Sequence, residues 1–236
     1  MGTNIKKILF IALLEVIMLI VMFAVMLFLK TLGIGGGIIS KTIPFLAILI
    51  CLCFSFFAID KNRLSWRINR HAILASILFF VIAMFPALFD MSFLQKLMKG
   101  EVNYSWLGYY LLVAVAEELF FRAYVRIKLY SLGKKYWIVT SATAFSAIHF
   151  ISSEQLSLFF FLLIFLFGVF LAVTYEIINS ILPLIVFHTF WNFMADYSEN
   201  YNNVLIVLGI WAIMILVSLA LRAAKTNNRL IAFHRK

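Results

Sequence analysis

Charge is scarce in this chain. Only 13% of its 236 residues are Asp, Glu, Lys or Arg, and ten of those are acidic. A water-soluble domain carries about 25% charged residues, so an ordinary soluble fold is excluded. The hydrophobic fraction of 65% and a mean hydropathy of +1.05 call for lipid as the surrounding solvent. Polar and apolar residues do not alternate, which excludes a membrane β-barrel. Cysteine is nearly absent. Cys51 and Cys53 lie two apart in an apolar run, where helical side chains do not face each other, so they read as small core residues and not as a redox pair or metal site. The glycine run Gly33–Gly37 lacks both the lysine of a phosphate-binding loop and a strand before it, and reads as a flexible turn. The apolar run from after Lys6 and Lys7 to about Leu29 is longer than a signal-peptide core and has no small-residue cleavage site, so it is expected to be a retained first span. There is no soluble domain, low-complexity tail or internal repeat.

What the chain does have is long apolar runs. A helical span needs about 20 such residues, and eight candidates occur at about 8–29, 42–59, 72–89, 105–127, 137–151, 156–178, 181–197 and 203–221. The fifth and seventh are short, as tilted or interior helices are. Pro86 and Pro183 lie within or at the start of spans, where proline kinks or begins a helix. With the N-terminus in the cytosol, fifteen Lys and Arg fall on the cytosolic side and four, Lys30, Lys41, Lys96 and Lys99, on the other. That bias supports eight spans with both termini cytosolic. The fold expected is an all-α, polytopic membrane helical bundle. The net charge of +10 is read as membrane orientation, with no nucleic-acid partner, and the basic tail from Arg222 to Lys236 as a contact for anionic lipid.

Against this background the stretch VAVAEELFFRAY, Val113 to Tyr124, stands out. Each ionised group at the centre of a span costs roughly 2.5–3.5 kcal/mol and marks a functional site by default. Glu118 and Arg122 are four apart and can pair along one helix face. Glu117 is turned about 100° from Glu118 and has no obvious partner on its own helix, which makes it the better candidate for chemistry. FSAIH places Phe145 and His149 four apart, and HTFWN places His188 and Asn192 likewise. Counted at 1.5 Å per residue from the cytosolic ends of their spans, Glu117 and Glu118 lie roughly 15 Å deep, His149 roughly 18 Å, and His188 and Asn192 roughly 10 and 16 Å. Groups at a similar depth on different spans are expected to form one site. A carboxylate, two imidazoles and a carboxamide suit acyl hydrolysis: a base takes a proton from water, and donors hold the oxyanion.

The three motifs, EELFFR at 117–122, FSAIH at 145–149 and HTFWN at 188–192, resemble the EExxxR, FxxxH and HxxxN pattern of the CPBP (Abi) family, the intramembrane proteases grouped with CAAX prenyl endopeptidases and bacteriocin-processing enzymes. The resemblance covers about 105–197, so the chain divides into an N-terminal helical part (1–104), a catalytic core (105–197) and a last helix with a basic tail (198–236). It implies that Glu117 with His149 activates water, that His188 and Asn192 stabilise the oxyanion, and that Glu118, Arg122 and Phe145 orient the site. No cofactor is required on this reading. Zinc held by Glu117, His149 and His188 is the alternative, although no HExxH helix is present. The Phe-, Ile- and Asn-rich composition fits a bacterial plasma membrane. The expected substrates are peptides or membrane-anchored tails, as in bacteriocin or pheromone processing or self-immunity, and a prenylated tail is not favoured. Two rival classes are a non-catalytic immunity or signalling scaffold and a proton-coupled transporter. The second is disfavoured by the lack of paired repeats or broken spans.

The other polar residues are expected to be structural. Glu15 reads as a packing contact, Glu176 with Tyr175 as interfacial, and His71 and His234 as solvated. Trp66, Trp106, Trp137 and Trp211 read as interfacial anchors.

Overall fold

The computed structural model describes residues 70–152 and 157–234, with side chains to 150 and from 157 to 224, together with isolated positions between Lys6 and Gly33. Apart from those isolated positions, the first two expected spans lie outside the described residues, as do Glu15, Cys51, Cys53, Trp66 and the side chain of His234. The rest is helical: α1 (Arg70–Leu88), α2 (Met91–Met98), α3 (Ser105–Glu117), a π-helix (Glu118–Tyr124), α4 (Val125–Leu129), a 3-10 turn (Tyr130–Leu132), α5 (Lys134–Ser152), α6 (Leu158–Ile178), α7 (Leu182–Ala195), a second 3-10 turn (Glu199–Asn202) and α8 (Val204–His234). No strand occurs among the described residues. Among the described residues three helices are long and apolar enough to cross a membrane: α1, α6 and the Val204–Ala224 part of α8. α8 continues to His234 as 31 helical residues, so the stretch after 221, expected as a tail, extends the helix.

The chain forms two compact units. One comprises Met1–Leu64 and Ala116–Ala172; the other comprises Ser65–Val115 and Val173–Lys236. The segment that carries the motifs is thus shared between them.

In the second unit α1 packs along α7. Ala72, Ala75, Phe79, Ala83 and Ala87 form a buried stripe at helical spacing, and its small side chains let α7 come close. Phe79 meets Phe187 edge-on at 6.4 Å, and Phe80 meets Phe190 at 4.5 Å. α7 begins with Pro183 in its first turn and is buried on nearly every side, which explains why 14 residues suffice: it is an interior helix. α8 buries Val207, Ile210, Trp211, Met214 and Ser218 and turns Leu205, Leu208, Ile213, Leu216 and Leu219 outward. Trp211 therefore packs against Trp191, at 6.5 Å, and is not an interfacial anchor. α6 ends at Asn179, which adopts φ 54° and returns its N–H to Tyr175. Tyr175 is buried and not interfacial. His71 is half-buried beside Ser180 and Arg222 and not fully solvated.

One end of this unit is tied by Asp90. Its Oδ1 accepts from the Ser92 and Phe93 N–H groups and the Ser92 hydroxyl, capping α2, while Oδ2 accepts from Ser198 Oγ at 2.7 Å and Glu199 N at 2.8 Å. Burial pushes this carboxyl up, but the hydrogen bonds of Ser198, Ser92 and Phe93 outweigh it and hold the group well below the usual carboxylate range. Next to it the second 3-10 turn caps α1: Asn200 Nδ2 donates to Pro86 O at 2.8 Å, and the Tyr201 hydroxyl donates to Ala83 O. Helix α2 ends in a Schellman turn. Gly100 takes φ 68°, and Glu101 N–H reaches Lys96 O at 2.9 Å.

In the first unit α5 packs on the π-helix and α4. It meets α6 where Gly168 lies against Ala142, so close that a Cβ on Gly168 would stand 2.9 Å from Ala142 Cα. Trp137 on α5 is fully buried, a second departure from interfacial anchoring. Trp106 is half-buried and meets Tyr109 edge-on at 5.5 Å.

Candidate active site

The acidic pair sits where one helix changes pitch. α3 ends at Glu117, and the next seven residues wind as a π-helix in which Val125 N–H bonds to Phe120 O, five residues back. Such wide turns favour functional positions, because they re-aim side chains that a regular helix would carry elsewhere. The expected span 105–127 is therefore not one regular α-helix. The expected angle between Glu117 and Glu118 holds only up to the junction between the two helix types.

Within this unit five of the seven candidate residues come together. Glu118 and Arg122 are both fully buried, with Nε 3.3 Å from Oε2. The Arg122 guanidinium lies over the Phe145 ring at 4.5 Å, with Phe121 at 5.7 Å. The attraction of cation to ring face adds to the ion pair where water is excluded. Phe145 in turn lies against the His149 imidazole, with centroids 4.2 Å apart. It is thus packed between the buried guanidinium and the imidazole, and it fixes the spacing of the two.

Glu117 and His149 form the accessible part. His149 Nε2 lies 3.8 Å from Glu117 Oε1, and the side chains keep 27% and 14% of their surface exposed, where Glu118 and Arg122 keep none. His149 Nδ1 is 2.8 Å from the Phe145 carbonyl. A carbonyl only accepts, so Nδ1 carries the proton and Nε2 of the neutral ring is the basic nitrogen. That basic nitrogen faces a carboxylate oxygen. Two acceptors so placed need a proton between them, on either partner, or a water that donates to both. A water held in this way is polarised towards hydroxide.

His188 and Asn192 lie in the other unit, four residues apart on α7. His188 is buried and Asn192 is partly exposed. A metal would find two donors in Glu117 and His149; among the described residues no group of three His, Cys, Asp or Glu side chains gathers as a metal site.

Two features escaped sequence reasoning. One is the π-helix itself, which no residue pattern announces. The other is Ser141, fully buried on α5, whose hydroxyl donates to the Phe121 carbonyl at 2.7 Å. Its spacing of four and eight residues before Phe145 and His149 is visible in the sequence, but α5 carries several hydroxyl residues and spacing alone does not single one out.

The chain matches the family described as Type II CAAX prenyl endopeptidase Rce1-like over residues 99–194, a range that encloses all seven candidate residues. No curated protein and no solved structure matches it. This is the kind of protease that the three motifs resemble. Over residues 99–194 this membrane protein is similar to the Type II CAAX prenyl endopeptidase Rce1-like proteases.

Proposed function

We propose that the protein is an intramembrane endopeptidase in which Glu117, assisted by His149, activates the attacking water. The observation that carries this reading is the basic Nε2 of His149 facing Glu117 Oε1 at 3.8 Å, with Nδ1 engaged by the Phe145 carbonyl. Water oxygen attacks the scissile carbonyl carbon while its proton passes to the Glu117–His149 pair. His188 and Asn192 donate to the oxyanion that forms. Collapse of this intermediate breaks the C–N bond, and the stored proton goes to the leaving amine. Glu118 and Arg122 hold the helix turn in place, and Phe145 sets the imidazole.

The substrate is a peptide or a membrane-anchored tail, with bacteriocin or pheromone precursors and self-immunity as the cellular settings. A zinc ion, on the alternative mechanism, would take Glu117, His149 and His188 as ligands and supply a polarised water. The carboxylate–imidazole pair supports water activation without it.

The test uses the full chain in lipid nanodiscs, with a farnesylated CAAX-tail peptide and its unprenylated twin as probes. Peptide mass spectrometry of membranes with and without the gene supplies further substrates. Glu117→Gln keeps the shape and removes the base, and should lower cleavage by about 10²–10⁴-fold at unchanged expression. Cleavage at the wild-type rate by Glu117→Gln overturns the proposal.

A further inference from the structure

Where a π-turn returns to α-helix, one carbonyl loses its donor. Phe121 O would ordinarily accept from Val125 N–H, four residues on, but that N–H is already bonded to Phe120 O. The Ser141 hydroxyl donates to Phe121 O at 2.7 Å in its place, and Ser141 is fully buried. No water reaches this point, so the carbonyl's satisfaction depends on α5.

Ser141 belongs to the same winding stripe of α5 as Phe145 and His149, at successive intervals of four residues. All three touch the segment that carries the acidic pair: Ser141 at Phe121 O, Phe145 at the Phe121 ring (5.3 Å) and over Arg122, and His149 at Glu117. The Ser141 bond lies at one end of this seam and the Glu117–His149 pair at the other. A π-turn that relaxed to α-helix would shift the residues before it by about one position, some 100° of rotation and 1.5 Å of rise. Glu117 lies before it and His149 does not, so the two would lose their alignment.

We infer that Ser141 is a positioning residue: its hydroxyl stabilises the π-turn and so keeps Glu117 in register with His149. This rests on the proposed peptidase reading for its consequence in catalysis, but not for the structural effect.

The experiment compares wild type with Ser141→Ala, which removes the donor, and Ser141→Thr, which keeps it, all as full chains in nanodiscs. Hydrogen exchange of the 118–126 amides is followed alongside cleavage of the two probe peptides. Ser141→Ala should speed exchange in that segment alone and lower kcat roughly tenfold with KM within about twofold. Ser141→Thr should restore both. Unchanged exchange in 118–126, or faster exchange spread evenly over α3 to α6, overturns the inference, as does a kcat of wild-type size for Ser141→Ala. If wild type cleaves neither probe, the peptidase reading is not supported, and the exchange data still decide the role of Ser141.

Discussion

Asp90 and Glu118 are buried carboxylates fewer than thirty residues apart, and the protein treats them in opposite ways. Asp90 accepts five hydrogen bonds, from Ser92, Phe93, Ser198 and Glu199. Both its oxygens are engaged by neutral donors, and its affinity for a proton falls. Glu118 is held by the charge of Arg122, and Glu117 next to it faces the basic nitrogen of His149. A carboxylate surrounded by fixed neutral donors ties segments together. One set against a basic group, and within reach of solvent, can exchange a proton. The first arrangement closes an end of a helical unit; the second is the kind of arrangement that chemistry requires.

The contrast predicts a graded set of outcomes. The largest is the loss of cleavage in Glu117→Gln, by about 10²–10⁴-fold, with the thermal midpoint in detergent unchanged. Arg122→Ala strands a fully buried Glu118 and should destabilise the protein by about 3–5 kcal/mol, read by denaturant unfolding. The paired change Glu118→Gln with Arg122→Met removes both charges and should recover most of that stability without restoring activity. Asp90→Ala should cost about 2 kcal/mol through loss of the α2 cap, and cleavage by the intact fraction should stay at the wild-type rate. Equal losses of activity in Asp90→Ala and Glu117→Gln would erase the distinction. Smallest is Tyr201→Phe, at about 1 kcal/mol, because one hydroxyl leaves the Ala83 carbonyl.

pH sharpens the same comparison. The folded-state affinity of Asp90 for a proton is below that of the unfolded chain, so its stabilising contribution is complete above the ordinary carboxylate range and is lost as pH falls below it. The stability gap between wild type and Asp90→Asn should therefore be widest near neutrality and shrink below about pH 4. A gap that stays constant down to about pH 2 would contradict this account of Asp90.

Five members of the candidate site, Glu117, Glu118, Arg122, Phe145 and His149, come together as their spacing suggests. Glu118 and Arg122 announced their pairing through a spacing of four. FSAIH and HTFWN marked His149 and His188 because imidazoles are rare in apolar runs. The short seventh span reads as a tilted or an interior helix, and burial makes α7 interior. Trp137 and Trp211 were misread because position near a span's end suggests an interface, whereas their burial is decided by neighbours far away in the chain. Helix α2 was passed over although Asp90 and Gly100 mark its ends; eight residues are too few to stand out in a hydropathy profile.

The amino-acid order by itself determined the membrane setting, the helical segments and the three motifs, since hydropathy and residue spacing are properties of a local stretch. The tertiary structure alone decided that Glu118–Tyr124 winds as a π-helix, that Ser141 completes it, that Phe145 is packed between Arg122 and His149, and that Asp90 binds the turn after α7. Each of these depends on a donor, ring or carbonyl supplied from another helix, and a linear sequence does not state which distant groups will face one another.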